Sequence, residues 1–447
     1  MNLTLNRQIA PPTSVVSLPT LLAHAHKILS NGVELFVLHD PKQEVFRIDL
    51  TFEAGVYYQQ QPLVAFATVN MLNEGTRKHA STEIAEVFDF YGAYVDFACG
   101  KHSSSIVLLS LNKYASETIG MLGEMATKSV FPEKELTVFL KNKKQSFLRD
   151  REKTAWLAQK EFARLFFGAS HPYSEVLTEA DYDNIDTEIL KEFYKQYFHA
   201  ENCKIILSGN ITPTLLQTTE TIFGALRRRE SANIDLNLNI DVNLSGRKDT
   251  DNQPIVGHRV FAPSPFGTYH VHKSNAQQTS LRVGTTGVSI LDKDYAAFLL
   301  LNTVLGGYFG SRLMSNIREE KGYTYGINSF NAIFPLSSYW CIAADVNSRF
   351  VEATTTEIIK EIKALQQTLI GAQEFSTVKN FLYGELLREL DGVFAQADAL
   401  RNKLLYGLDN TFYASVIEQI KHISPQQIKE LAIKQWDIEK MYIVSVG

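Results

Sequence analysis

Cysteine is scarce in this chain: three occur in 447 residues, Cys99, Cys203 and Cys341, and no two form a C-x-x-C pair. That excludes a disulfide framework and a thiolate zinc site, and it makes a reducing, cytoplasmic setting the expectation. No run of about 18 apolar residues is present to span a bilayer. The first twenty residues have neither a basic n-region nor an apolar h-region, so export is not expected either. Charge of one sign is missing too: Lys+Arg 44 against Asp+Glu 49 gives −5. Without a global basic field, a nucleic-acid partner is not expected. Low-complexity segments are absent, and 45% hydrophobic with 21% charged residues excludes disordered, collagen-like and coiled-coil chains.

What remains is an ordinary globular composition, long enough for two to four packed units at roughly 150 residues per domain. Short alternating apolar runs around Asn31-Gly32 and Asp40-Pro41 read as hairpin-like strands. Helical periodicity follows over 64–72 and 82–90. Strand-like YVDFACG and SSSIVLLSL come next, then amphipathic stretches between Lys113 and Phe167.

The same order occurs twice. AFATVNMLNEG, from Ala65, matches AFLLLNTVLGG, from Ala297, with Asn70 opposite Asn302. Gly92 matches Gly322, and KIILSGN, with Gly209, matches the terminal YIVSVG, with Gly447. All three pairs lie roughly 230–240 residues apart, a constancy that marks an internal repeat. Between the copies runs a polar stretch that reads as a linker. The expected layout is residues 1–227, a linker over 228–262, and residues 263–447: two homologous α/β halves in an α+β protein, each a mainly antiparallel sheet packed with helices.

The stretch GGYFGSRLMSNIREEKGYTYGINS, from Gly306 to Ser329, closely resembles the second-half signature of the pitrilysin and insulinase type zinc peptidases, the family that includes the mitochondrial processing peptidase. NGVELFVL, TFEAGVYY, HPYS at His171, NAQQTSLRVG and IVSVG resemble further landmarks of that family in the right order, so the resemblance covers about Ala25 to Gly447. It implies the metallopeptidase fold of the processing peptidases and, for a two-part enzyme, a dimeric partner.

Active members carry H-x-x-E-H before a short Gly-Thr element. Two histidines at i and i+4 grip one zinc ion from one helix face, while the glutamate acts as general base on the bound water. Anchored on Gly75-Thr76, the corresponding residues here are Phe66, Val69 and Asn70, with neither imidazole nor carboxylate. The family's third ligand falls near Gln145 or Ser146, beside Lys141, Lys143 and Lys144, whose charge opposes a dication. The resemblance therefore implies a non-catalytic member with no cofactor of its own, zinc being expected in the partner subunit.

In two-part members the half or subunit without zinc resembles a clamp that contributes an Arg and a Tyr seven residues apart, and here these are Arg318 and Tyr325. A guanidinium and a phenol can hold a peptide carbonyl or a developing oxyanion. The purely structural alternative makes Arg318 an ion-pairing helix residue beside Glu319 and Glu320, and Tyr325 a strand core residue. The implied function is a catalytically inactive, substrate-positioning subunit of a heterodimeric zinc metallopeptidase acting on peptides. Its partners would be a zinc-bearing homologous subunit and a peptide substrate. The competing reading is a non-enzymatic structural or binding module of the same fold, like the core subunits of a respiratory complex.

Other constellations carry less. The i, i+2 pairs His24/His26 and His270/His272 lack a third ligand, and His79 and His102 lack partners at ligand spacing. Ser311 has no G-x-S-x-G elbow and reads as a helix-start serine, while Gly306, Gly307 and Gly310 miss the dinucleotide spacing and read as close-approach glycines. The basic runs Arg227–Arg229 and Lys141–Lys144 read as solvated helix faces.

Overall fold

The computed structural model describes residues 21–174, 176–229 and 263–447. The linker over 228–262 lies almost wholly outside these residues. Of that region Arg228 and Arg229 are described, and they are tied to the first half: Arg228 donates to the Ser30 and Asn31 carbonyls, and the Arg229 amide to Glu201. Arg227 reaches the Tyr194 carbonyl, so this basic run is not a solvated helix face; its guanidiniums satisfy carbonyls at chain turns.

Among the described residues, eleven strands form two sheets. In the first, β1 (Ala25–Ile28), β2 (Glu34–His39), β3 (Val45–Phe52), β4 (Tyr94–Cys99), β5 (Ser104–Leu111) and β6 (Cys203–Gly209) run in the order β1-β2-β6-β3-β5-β4. In the second, β7 (Gly267–Val271), β8 (Thr279–Thr286), β9 (Thr324–Phe334), β10 (Ser337–Val346) and β11 (Tyr442–Val446) run β7-β11-β8-β10-β9. Among the described strands, β2 with β6 and β7 with β11 pair in parallel and the other pairings are antiparallel. The mixed, mainly antiparallel two-sheet architecture agrees with the expected fold class.

One local expectation needs correction. Asn31-Gly32 does turn β1 into β2, with Gly32 at φ +101° and the Asn31 amide donating to the Phe223 and Leu226 carbonyls. The next turn does not make a hairpin, because β6 inserts between β2 and β3. The turn dipeptide Asp40-Pro41 is local, whereas the strand that fills the gap arrives much later in the chain.

Two glycines at matching positions share a backbone conformation. Gly92, just after the helix Ser81–Tyr91, has φ +61°, and Gly322, after the helical turn Met314–Glu320, has φ +66°. Both occupy the left-handed region that a Cβ disfavours. In each copy the closing strand, β6 or β11, lies inside its sheet rather than at an edge.

Each half also lends a helix to the other. Helix Thr154–Phe167 of the first half packs on β8 and β11, where Ala158 and Phe162 meet Tyr339, Tyr442 and Val444. Reciprocally, Gly392–Tyr406 of the second half lays Val393, Ala397 and Leu400 on Phe36, Leu38 and Ile206 of β2 and β6. This explains why β8 is buried along nearly its whole length while β5 alternates: helices cover both faces of one and one face of the other. The main cores, one per sheet, lie on the opposite faces.

Candidate functional site

Two places need description: the loop and strand that hold Arg318 and Tyr325, and the chamber beside Phe66. After the helix Tyr295–Asn302 the chain runs through the π-helical turn Thr303–Gly307, where Gly306 has no room for a side chain: a Cβ there would sit 2.7 Å from the Ser329 hydroxyl oxygen and 2.8 Å from its amide nitrogen. It then enters a second π-helical turn, Met314–Glu320. Ile317 is fully buried, and the Asn316 amide donates to Glu357 (2.9 Å) and Glu361 (2.6 Å), which pins this turn to the helix Val351–Gln367.

Arg318 is half-buried, with its guanidinium 4.6 Å from the centre of the Phe309 ring. It makes no ion pair among the described residues, Glu319 and Glu320 included. A cation stacked on an aromatic face keeps its N–H edge available to a ligand. The chain then reverses through Gly322 into β9, the outermost strand of its sheet.

Tyr325 stands at the start of β9 and is 90% exposed, so it is not a core residue. Its orientation has a local cause. Thr324 pairs with Val346 and Ile327 with Ala344, which leaves Tyr325 and Gly326 facing the single residue Asp345. Such a bulge kinks an edge strand and re-aims its side chains. The Thr324 hydroxyl fixes it by donating to the Asp345 carbonyl at 2.7 Å. Both parts of the structural alternative for this pair therefore fail. The aromatic platform Phe309, itself 64% exposed, was missed; its trace in the sequence is an aromatic pair between glycines, Gly307-Tyr308-Phe309-Gly310.

The Phe66 chamber is built differently. Phe66, Val69 and Asn70 lie on the helix Val64–Asn70. Val69 is fully buried in the first-half core, and the Asn70 amide donates back to the Phe66 carbonyl at 2.8 Å. Phe66 lines a cavity of about 670 Å3 together with Lys143 and Ser146, whereas Gln145 points elsewhere on the same helix, Glu133–Asp150. The Lys143 ammonium stands 5.1 Å from the Phe66 ring centre and 5.4 Å from that of Phe139. These residues do not fit zinc: one faces the cavity as a phenyl ring, one is a core aliphatic, one amide is spent on its own helix, and a fixed positive charge occupies the space. Among the described residues, no three His, Cys, Asp or Glu side chains are grouped to hold a metal ion.

Five histidines are engaged elsewhere. His26 stacks on Phe36 at 4.4 Å and contacts Glu34, His270 bonds Ser445, and His79 bonds Glu124. His102 is buried, with Nε2 2.5 Å from the Tyr173 hydroxyl, while His171 Nδ1 accepts from the Tyr173 amide. Burial, helped by His171, pushes the His102 imidazole down to about 4; burial and nearby Lys101 do the same to His171. Ser311 is buried at the start of a helical turn, and no base contacts its hydroxyl among the described residues.

Comparison with known proteins fits this geometry. Residues 184–382 match the family model described as "Peptidase M16 inactive domain". The structure superposes on the crystal structure of a peptidase M16 inactive domain from Pseudomonas fluorescens with a TM-score of 0.81, at 23% identity, covering 95% of this chain and 98% of that one. The chain is similar to peptidase M16 proteins. Among relatives, the chain is 21% identical to the "uncharacterized zinc protease YmxG" of Bacillus subtilis, over 90% of its own length and 93% of that protein's. It is 22% identical to the "non-peptidase homolog YmxG" of Helicobacter pylori, over 90% and 88%. Over a shorter span, 35% of this chain and 32% of the other, it is 23% identical to the mitochondrial-processing peptidase subunit alpha of Pongo abelii. The matched family model is described as an inactive domain, and Phe66, Val69 and Asn70 bear neither imidazole nor carboxylate. Among the described residues, no helix is long and apolar enough to cross a membrane.

Proposed function

We propose that this chain is the substrate-positioning, non-catalytic subunit of a two-part zinc peptidase acting on peptides. Its partner would be a zinc-bearing homologue of the same fold that supplies metal, water and base. Arg318 and Tyr325 are the residues assigned to substrate. The observation that carries the reading is the bulge that turns Tyr325 outward, 90% exposed, on the strand entered from the turn bearing Arg318. An exposed phenol and a guanidinium without an internal carboxylate partner are donors held ready for an external carbonyl. The likeness to a processing-peptidase subunit supports an assembly of two unlike chains. The division into two homologous halves, joined near residues 228–262, belongs to the same proposal.

The test is reconstitution with a zinc-bearing homologue from the same source. The chain alone should hydrolyse no peptide, and turnover should appear when the partner is added. Arg318→Ala and Tyr325→Phe should each lower turnover of the assembled pair while leaving assembly, read by size-exclusion chromatography, unchanged. Normal kinetics in both variants would reject substrate positioning and leave the structural or binding module.

A further inference from the structure

The chamber beside Phe66 does not depend on that reading, and it has its own chemistry. Its size lies within the usual range for small-ligand sites. Leu63, Phe66, Trp156 and Leu177 supply apolar wall. Lys143 faces the same space, and its neighbours are rings rather than carboxylates. The carboxylates close by are committed to other lysines: Asp150, which also lines the chamber, lies 2.7 Å from Lys153, and Asp183 lies 2.7 Å from Lys144. Two phenyl faces thus hold the Lys143 ammonium in position without neutralising it, and no acidic partner is found for it among the described residues.

We propose that this chamber is a binding site for an apolar monocarboxylate, with the carboxylate on Lys143 and the hydrocarbon portion against Phe66 and Trp156. A positive charge that is partly desolvated, fixed by aromatic faces and unpaired gains a charge-assisted hydrogen bond from such a ligand. Lys160 also lines the chamber, 5.7 Å from the Trp156 ring centre, whereas Lys143 stands over Phe66; a monoanion needs only the Lys143 ammonium there, where a phosphate dianion would need further donors. Two sources share this chemistry: the C-terminal end of a short peptide and a free aromatic acid.

Isothermal titration of the full chain with N-acetyl-Leu-Phe, its C-terminal amide and 3-phenylpropionate tests the site and separates the sources. The acid peptide should bind at least about tenfold tighter than the amide, the usual scale of a hydrogen bond to a charged group. Lys143→Met should remove that preference while Lys144→Met, on the same helix, retains it; unchanged thermal melting would show that both variants fold. Tighter binding of the dipeptide acid than of phenylpropionate assigns the site to peptide ends, and equal binding assigns it to free acids. No binding by either acid, equal affinity for acid and amide, or a preference that survives Lys143→Met overturns the proposal. Because no partner subunit or peptidase assay is involved, failure here leaves the substrate-positioning reading untouched.

Discussion

Arg47 and Asp398 meet across the two halves: Nη2 of Arg47, on β3, lies 2.5 Å from Oδ1 of Asp398, on the helix Gly392–Tyr406. The same guanidinium holds Asp49 through Nε (2.8 Å) and Nη2 (2.9 Å), and Asp49 is fully buried. Burial pushes the Asp49 carboxyl up from its ordinary value, against the pull of Arg47 and Arg401. One arginine thus satisfies a buried charge and ties the borrowed helix to its sheet.

This arrangement predicts unequal costs. Arg47→Met leaves Asp49 with Arg401 alone, 3.4 Å away, and should destabilise by about 3–5 kcal/mol, as expected when one partner of a buried pair is removed. Asp398→Ala removes a carboxylate that is 44% exposed and should cost only about 1 kcal/mol. Urea denaturation of both variants checks this, and equal losses would contradict it.

Gly92 and Gly322 should respond alike. Neither would bring a Cβ within 4 Å of another group, so the cost of Gly→Ala at each is backbone strain alone, about 1–2 kcal/mol. Thermal melting should show two similar losses. Neutral substitution at either position would mean that its left-handed conformation is not obligatory.

Acid should weaken the fold through His102 and His171. Both are held neutral in the folded protein, near 4, whereas in the unfolded chain they titrate near 6.5. The unfolded state therefore binds protons first as pH falls, and stability should drop between about pH 6.5 and 4. Each histidine accounts for on the order of 3 kcal/mol at the lower end. His171→Asn, which keeps an acceptor for the Tyr173 amide, should flatten the pH profile of the melting temperature in this window; an unchanged slope would show that His171 does not carry it.

Writing the metal motif back should not restore a metal site. Phe66→His, Val69→Glu and Asn70→His together place a carboxylate where Val69 is fully buried and leave Lys143 facing the chamber. Metal analysis should find no stoichiometric zinc, and the triple variant should be less stable than the parent. A full equivalent of zinc would show that Lys143 is no obstacle.

Much of the site could be read before any folding was considered. The Phe66, Val69 and Asn70 substitutions are statements about functional groups, and no arrangement of a phenyl, an isopropyl and an amide makes two imidazoles and a carboxylate. The seven-residue spacing of Arg318 and Tyr325 was equally plain. Their local settings were not legible: the bulge opposite Asp345 depends on β10 pairing with β9, and the Phe309 platform depends on where two successive turns leave the chain. Ser146 could not be separated from Gln145 until the helix Glu133–Asp150 had a facing neighbour.

The amino-acid sequence by itself determined the turn glycines, the alternation of the strands and the lack of imidazole and carboxylate at Phe66, Val69 and Asn70, because each rests on residue type and short-range spacing. Only the tertiary structure decided that β6 and β11 close their sheets from within, that each half lends a helix to the other, and that Lys143 stands over two rings facing a chamber. These outcomes depend on contacts between residues far apart in the chain, where shape, burial and the pairing of charges choose among partners that local periodicity leaves equivalent.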